Sequence, residues 1–302
     1  MFDFVSKKRY FFGLSIVIII LGTIFAASAG IPWGIDFTGG TIMTVGFEEA
    51  VEKDDIAGLL AEVGHPEAEV QGTETEETEY GYIIRSKELT DAEQSQLVNS
   101  LQEIGMTGEL EFDSVSNPIA DEKARGAVIA VVVAAFGILI YISWAFRKLP
   151  KPFRYGTCAV IALIHDVLIA MAVFAILGNA LDLEINLIFI TGLLTVIGYS
   201  VNDTIVVFDR IRENLGKAGR QSFQTVVNNS LVETLSRSLN TSLTTLLVLV
   251  SVYLFVGEAI ESFMLVLIVG VISGTYSSIF IASQLLVVWE TGAFGRLFRR
   301  TA

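Results

Sequence analysis

The sequence predicts an α-helical polytopic membrane protein of six transmembrane helices, with one external βαββαβ α+β domain between helices 1 and 2. Three observations carry that fold class. Of 302 residues 52% are hydrophobic and only 18% charged, and the mean hydropathy is +0.61, values outside the usual soluble globular range. Six apolar runs are long enough, or nearly so, to cross a hydrocarbon core of roughly 30 Å, which takes about 20 helical residues. Between the first and second runs the pattern changes to short strand and amphipathic-helix signals. The chain therefore divides into residues 1–29 (cytoplasmic N-terminus and helix 1), 30–123 (external domain) and 124–302 (helices 2–6 and a cytoplasmic C-terminus).

The runs lie at 10–29, 124–146, 155–177, 185–208, 235–256 and 262–288. Lys and Arg set their orientation. Lys7, Lys8 and Arg9 precede the first run, RKLPKPFR fills the loop after the second, basic residues from Arg210 to Arg220 follow the fourth, and Arg296, Arg299 and Arg300 close the chain. The alternate connections, namely the insert, GNALDLE and GEAIE, are acidic or neutral. The positive-inside rule thus puts both termini in the cytoplasm and the insert outside. KKRYFFGLSIVIIILGTIFAASA reads as a signal anchor, with cleavage after its small residues as the minor alternative. The net charge of -13 belongs largely to residues 30–122, where GFEEAVEKDD and GTETEETEYGY meet only Lys53, Arg85 and Lys87. Such acidity argues against nucleic acid, which needs a basic footprint. A single cysteine, Cys158, makes an intrachain disulfide impossible.

Within the insert, TIMTVGF (41–47) alternates like a strand, and VEKDDIAGLLAEVG reads as an amphipathic helix ended by Gly64 and Pro66. AEVQGT and YGYIIRS are strands around an acidic turn. In TDAEQSQLVNSLQEIG, Thr90 is placed as a cap with Glu93 three residues on, and ELEFDSV is a last strand. The order βαββαβ suggests a small plait with two helices on one face of an antiparallel sheet.

The fourth run carries Asp203 inside its apolar stretch, after Ser200 and Asn202. A lone carboxylate in a membrane helix is expensive by several kcal/mol, which makes it a candidate functional site. Asp203 lies about five residues, or ~8 Å, inside the end of the run at Phe208. Arg237 precedes the uninterrupted apolar part of the next run by a similar distance, so antiparallel packing brings the two to one depth. Gly192, Thr195, Tyr199 and Asp203 recur at three or four residues along one helix, and Arg237, Asn240, Thr241, Thr244 and Ser251 along the other. Each helix thus carries a small and polar stripe facing a wet seam. His165 and Asp166, near mid-membrane in ALIHDVLIA, extend the set. Chains of Asp, His and polar side chains carry protons through bundles. Asp203 and Arg237 are accordingly the expected relay, with Asn202, Tyr199, His165, Asp166 and Asn240 as further seam or relay residues. The structural alternatives are a fixed Asp203–Arg237 ion pair and a His165 bonded to a backbone carbonyl. Asp209, at the membrane boundary, needs no functional role.

Gly270, Gly274, Ser278 and Ala282 repeat at a spacing of four, which marks a close-packing face, either inside the chain or against a partner subunit. RIRENLGKAGRQSFQTVVNNSLVETLSRSLN, between the fourth and fifth runs, reads as an amphipathic helix on the cytoplasmic surface. GIDFTGG, with Asp36, Gly39 and Gly40, reads as a structural turn joining the first span to the first strand; no Lys-Ser/Thr follows as a phosphate loop requires. No HExxH, paired Cys or clustered His supports a metal site.

GIDFTGG, ALIHDVL, VIGYSVNDTIVVFDRIREN, LSRSLNTSLTT and GTYSSIFIASQLL together resemble the SecF family, the smaller membrane subunits of the SecD–SecF protein export complex. The resemblance covers nearly the whole chain. It implies the half-unit of a resistance-nodulation-division (RND) type bundle in the plasma or inner membrane. It implies use of the proton motive force to assist export through the SecYEG channel, with a SecD-like subunit, a YajC-like subunit and unfolded preproteins as partners. The family's membrane Asp and Arg fall on Asp203 and Arg237. No cofactor is implied; the coupling ion is H+, with Na+ as the alternative. The rival readings are an RND-like exporter half-unit, a passive translocon assembly subunit and an aspartyl protease, which needs a Gly-x-Gly-Asp frame that Ser200-Val201-Asn202-Asp203 lacks.

Overall fold

The computed structural model describes residues 3–73, 80–107, 111–181, 183–255 and 260–292. The acidic turn at 74–79, residues 109–110 of the last predicted strand, residues 257–259 of the GEAIE loop, Asp182 and Arg296, Arg299 and Arg300 lie outside the described residues. The chain forms two compact units, Trp33–Ala127 and a second made of Met1–Pro32 with Val128–Ala302.

The first unit opens with one helical turn, α2 (Ile35–Thr38), following the long N-terminal helix α1 (Lys8–Ala29). Then come β1 (Gly40–Phe47), α3 (Lys53–Val63), β2 (Glu69–Thr73), β3 (Tyr80–Ser86), α4 (Asp91–Glu103) and β4 (Glu111–Val115), the βαββαβ order expected. The sheet is antiparallel throughout, in the order β2-β3-β1-β4. Alternation along β1 turns Met43, Val45 and Phe47 inward, where they meet Ile56 and Leu60 of α3 and Leu97 and Leu101 of α4. Each local signal has its counterpart. Gly64 ends α3 in the left-handed conformation at φ 102, and Thr90 and Glu93 form a reciprocal capping box at the start of α4. In GIDFTGG, Gly39 (φ 69) and Gly40 (φ 130) turn the chain from α2 into β1. Asp36 holds Lys123 at 2.7 Å, which ties α2 to the helix that follows the sheet.

The second unit is a helical bundle. Among the described residues six helices are long and apolar enough to cross a membrane. They are α1, α5 (Asn117–Ala145), α6 (Phe153–Leu181), α7 (Leu187–Lys217), α8 (Phe223–Phe255) and a last span made of α9 (Glu261–Ser277), a π-helical segment (278–282) and α10 (Ser283–Glu290). The most extensive helix pairing is α7 with α9, and its cause is glycine. A Cβ on Gly270 would fall 2.8 Å from Val196 Cβ, one on Gly274 2.9 Å from Ser200 Cβ, and one on Gly192 3.1 Å from Phe263. The small-residue face of the last span therefore packs inside the chain, against α7. α5 and α8 instead present Val132, Val133, Phe136, Leu243, Leu247 and Val248 outward, as lipid-facing helices do.

The amphipathic surface helix expected between the fourth and fifth spans is absent. α7 runs on to Lys217, α8 begins at Phe223, and only residues 218–222 separate them. The reason is that the polar sequence hides an apolar seam: Val207, Phe208 and Ile211 of α7 and Val226, Val227 and Leu231 of α8 are all buried. Around that seam, Glu233 takes Arg210 at 2.6 Å and Asn214 at 2.8 Å. The two spans thus continue beyond the apolar core as a helical hairpin.

Candidate functional site in the bundle

Among the described residues, two carboxylates lie within the bundle, and they are treated in opposite ways. Asp166 on α6 is 1% exposed and fully engaged. Its Oδ2 accepts the hydroxyls of Ser200 on α7 (2.6 Å) and Ser277 on α9 (2.7 Å). Its Oδ1 accepts Ser273 on α9 (2.7 Å) and lies 3.1 Å from His165 Nδ1. With Nδ1 donating to the carboxylate, His165 Nε2 is the acceptor for Ser15 of α1 at 2.9 Å, a tautomer assigned from the network. The ring stacks against Tyr276, whose hydroxyl donates to the Phe11 carbonyl at 2.8 Å. Four helices meet on this one side-chain pair.

Asp203 sits one turn after Ser200 on α7, turned toward α8. Its Oδ1 accepts the Ser238 hydroxyl at 2.7 Å, while its buried Oδ2 has no hydrogen-bond partner among the described residues. The fixed Asp203–Arg237 ion pair, the structural alternative, is not formed. No ion pair joins Asp203 and Arg237 among the described residues, and Arg237 is exposed on the outer side of α8. The cause is rotation rather than depth, since neighbouring residues on a helix point about 100° apart and α8 turns Ser238, not Arg237, into the α7 seam. A hydroxyl ladder continues from Ser238, whose carbonyl accepts Ser242 at 2.9 Å; the Ser242 hydroxyl meets Thr275 of α9 at 2.5 Å and Tyr199 of α7 at 3.4 Å.

The remaining predicted stripe residues separate by face. Tyr199 joins the seam, Gly192 packs against α9, and Asn202 and Asn240 are exposed. Thr241, Thr244 and Ser251 satisfy themselves on carbonyls of the preceding turn. The residues missing from the sequence reading are the serines Ser15, Ser238, Ser273 and Ser277, and Ser200 was named there without a role. Their one available signal was the spacing of Ser273 and Ser277, four apart beside Gly270 and Gly274.

This geometry bears on two enzymatic readings. An aspartyl dyad needs two carboxylates sharing one site, whereas Asp166 and Asp203 belong to separate hydrogen-bond sets on different faces of α7. Ser15, His165 and Asp166 have the connectivity of a hydrolytic triad. Yet Ser15 is 4% exposed in the middle of α1, where backbone N–H groups are committed to the helix and cannot hold an oxyanion.

Comparison with known proteins places this geometry in a family. Residues 96–292 match the family model for the C-terminal region of the protein export membrane proteins SecD/SecF, and residues 24–51 match the SecD/SecF GG motif. The chain belongs to the SecF branch of the SecD/SecF family. Among curated relatives, the protein translocase subunit SecF of Thermobaculum terrenum is 46% identical, over 100% of this chain and 98% of that protein. That of Anaerolinea thermophila is 39% identical over 100% of this chain and 98% of that protein. The crystal structure of SecDF, a translocon-associated membrane protein from Thermus thermophilus, superposes with a TM-score of 0.81 at 33% identity. It covers 96% of this SecF-family chain, which spans only 39% of the longer SecDF chain. The glycine pair of the matched motif is Gly39-Gly40, the turn that leads from α2 into β1. This SecF-family chain is a multi-pass membrane protein of protein transport.

Proposed function

We propose that this chain is a proton-coupled accessory subunit of protein export, working with a SecD-like half to draw exported, unfolded preproteins from a SecYEG-type channel. The observation that carries the reading is Asp203: a carboxylate inside a membrane span that holds one hydrogen bond and keeps its second oxygen free. Beside it lies a polar strip, Asn202, Arg237, Asn240, Thr241 and Thr244, all exposed on membrane helices. Lipid is a poor cover for such a strip, since an Arg or Asp at the centre of a membrane helix costs about 2.5–3.5 kcal/mol. A second helical half with complementary polar groups covers it, and the SecD-like subunit is that half. A YajC-like subunit belongs to the same assembly.

In this reading Asp203 takes up and releases H+, Arg237 biases its charge from the outer face of α8, and the packing of α7 against α8 and α9 follows its protonation. Both termini lie in the cytoplasm and the acidic α+β unit lies outside, where it meets the emerging chain. One charge crossing 100 mV releases about 2.3 kcal/mol. The test is proton flux and preprotein export in liposomes holding the whole complex, with Asp203→Asn and Arg237→Met. Both variants are expected to lose flux and export together. Undiminished flux in Asp203→Asn refutes the relay, and export that follows a Na+ gradient instead assigns the coupling to sodium.

A further inference from the structure

Asp166 has no place in the exposed strip and no free acceptor position, but it grips the same helix that carries Asp203. We propose that Asp166 is the positioning residue for Asp203: it fixes the rotation of α7 about its axis, and so the direction in which Asp203 faces α8. This rests on the reading of Asp203 as the proton-carrying group.

Ser200, held by Asp166 at 2.6 Å, stands three residues before Asp203 and four before Thr204. Thr204 is itself pegged to Ser278 of the π segment at 2.8 Å, and the Ser278 hydroxyl reaches the Ser200 carbonyl at 3.3 Å. Residues 200–204 are therefore gripped by polar contacts from α6 and the last span on one flank. On the other flank the bond from Ser238 to Asp203 depends on that grip. With side chains a helix has a radius of about 5–6 Å, so a turn of about 20° sweeps a side chain through ~2 Å. A hydrogen bond of 2.7 Å does not survive such a shift. The apolar contacts of α7 with α9 are made on glycine faces and set distance rather than rotation; between membrane helices the directional element is the interhelical hydrogen bond.

The same geometry separates Asp166 from a proton carrier. An ionised carboxylate only accepts, and four donors already occupy Asp166, so a proton arriving there must displace one of them. The titratable or charged groups facing the two carboxylates are few. Among the described residues, His165 faces Asp166 with Tyr276 stacked on its ring, and Arg237 acts on Asp203 only through space from the outer face of α8; the hydroxyls of Ser238, Ser242 and Thr275 lie between the helices, with the Tyr199 hydroxyl on Ser242.

The experiment uses the full chain assembled with its SecD-like partner in liposomes, as wild type, Ser200→Ala, Asp166→Leu, Asp166→Asn and Asp203→Asn. Proton flux is measured, and the infrared carboxyl band of Asp203, identified by its loss in Asp203→Asn, is titrated with pH. In Ser200→Ala and Asp166→Leu the flux is expected to fall about tenfold, the scale of one charge-assisted hydrogen bond. The midpoint of the Asp203 band is expected to move by about one pH unit. Asp166→Asn retains an acceptor oxygen for the serines and is expected to stay within about twofold of wild type. A merely structural role lowers the amount of folded protein without moving the midpoint. Should Asp166→Leu fail to assemble, Ser200→Ala, which removes one hydroxyl, decides alone. If Asp203→Asn keeps its flux, the relay reading fails; if Asp203→Asn is dead but the band midpoint is unmoved in Ser200→Ala, only the positioning role of Asp166 fails.

Discussion

Gly270 is the sharpest test of how α7 is seated. An alanine there places its Cβ 2.8 Å from Val196 Cβ, with both γ-methyls of Val196 closer still. Ordinary carbon–carbon contact is about 3.5–4.0 Å, so the α7–α9 spacing must open by roughly 1 Å or Val196 must leave its rotamer. Overpacking of this kind costs about 1–3 kcal/mol. Because Val196 is 1% exposed with no space to retreat into, the upper half of that range is expected. Val196→Ala alone removes two methyl groups and leaves a cavity, at about 1–3 kcal/mol. The two changes together let the new methyl group occupy the space vacated by the old ones. The double variant is therefore expected to be more stable than the sum of the singles by about 1–3 kcal/mol, a coupling that contact neighbours show and distant sites do not. Reversible unfolding of the purified protein in mixed micelles measures all four corners of the cycle. Additivity within about 0.5 kcal/mol would refute the close approach of α7 and α9 at this point.

Three further outcomes follow from other parts of the chain. Gly40→Ala puts a side chain at φ 130 and a Cβ 2.6 Å from the Ser86 carbonyl oxygen, so the external unit is expected to lose about 1–3 kcal/mol in thermal unfolding; an unchanged midpoint refutes the strained turn. Glu93 is held below the usual carboxylate range by the Thr90 backbone N–H and hydroxyl, and Glu67 by its own backbone N–H and by Lys87. Since both folded values lie below the ordinary 4.5, their contribution is complete above that pH and is lost as pH falls through the folded values. Denaturation of the external unit is expected to be flat near neutrality and to ease in acid, with a shallower acid slope in Thr90→Ala; an equal slope counts against the cap. In the hairpin beyond the apolar core, Glu233→Gln releases Arg210 and Asn214 at a cost of at most about 1 kcal/mol. Ile211→Ala, which empties a fully buried site, costs about 2–5 kcal/mol. The reverse ranking in thermal unfolding would show that charge, not the apolar seam, joins the helices.

The spans were legible because a run of about 20 apolar residues has few other meanings, and the plait because β1, α3 and α4 each carry their own period and stop signals. The hairpin of α7 and α8 was not, for its buried residues are few and spaced among charges, and a helix flank that meets a partner reads like one that meets a headgroup layer. Asp203 was visible as a charge out of place. The hydroxyl that donates to it, Ser238, was not, because depth arithmetic is good to about one residue while one residue on a helix turns the side chain by about 100°. The serine cage around Asp166 was hidden for a different reason. Ser and Thr in apolar helices ordinarily satisfy themselves on the preceding turn, as Thr241, Thr244 and Ser251 do, so apart from the spacing of Ser273 and Ser277 beside the glycines nothing local marks the cage serines as exceptions.

The contrast between the two carboxylates orders the rest of the bundle. A polar group removed from water is stable only when its bonds are replaced, and each bond replaced makes it harder to change state. Asp166 stands at one end of that trade, with four donors from three helices and no spare capacity, and it serves a helix that must stay in register. Asp203 stands at the other, with one donor and one free oxygen beside an uncovered polar strip. Ser200 and Asp203, a single turn apart on α7, therefore connect a part of the molecule that is fixed to a part that is free to respond, and glycine at 270 and 274 brings the last span close enough for the connection to be made.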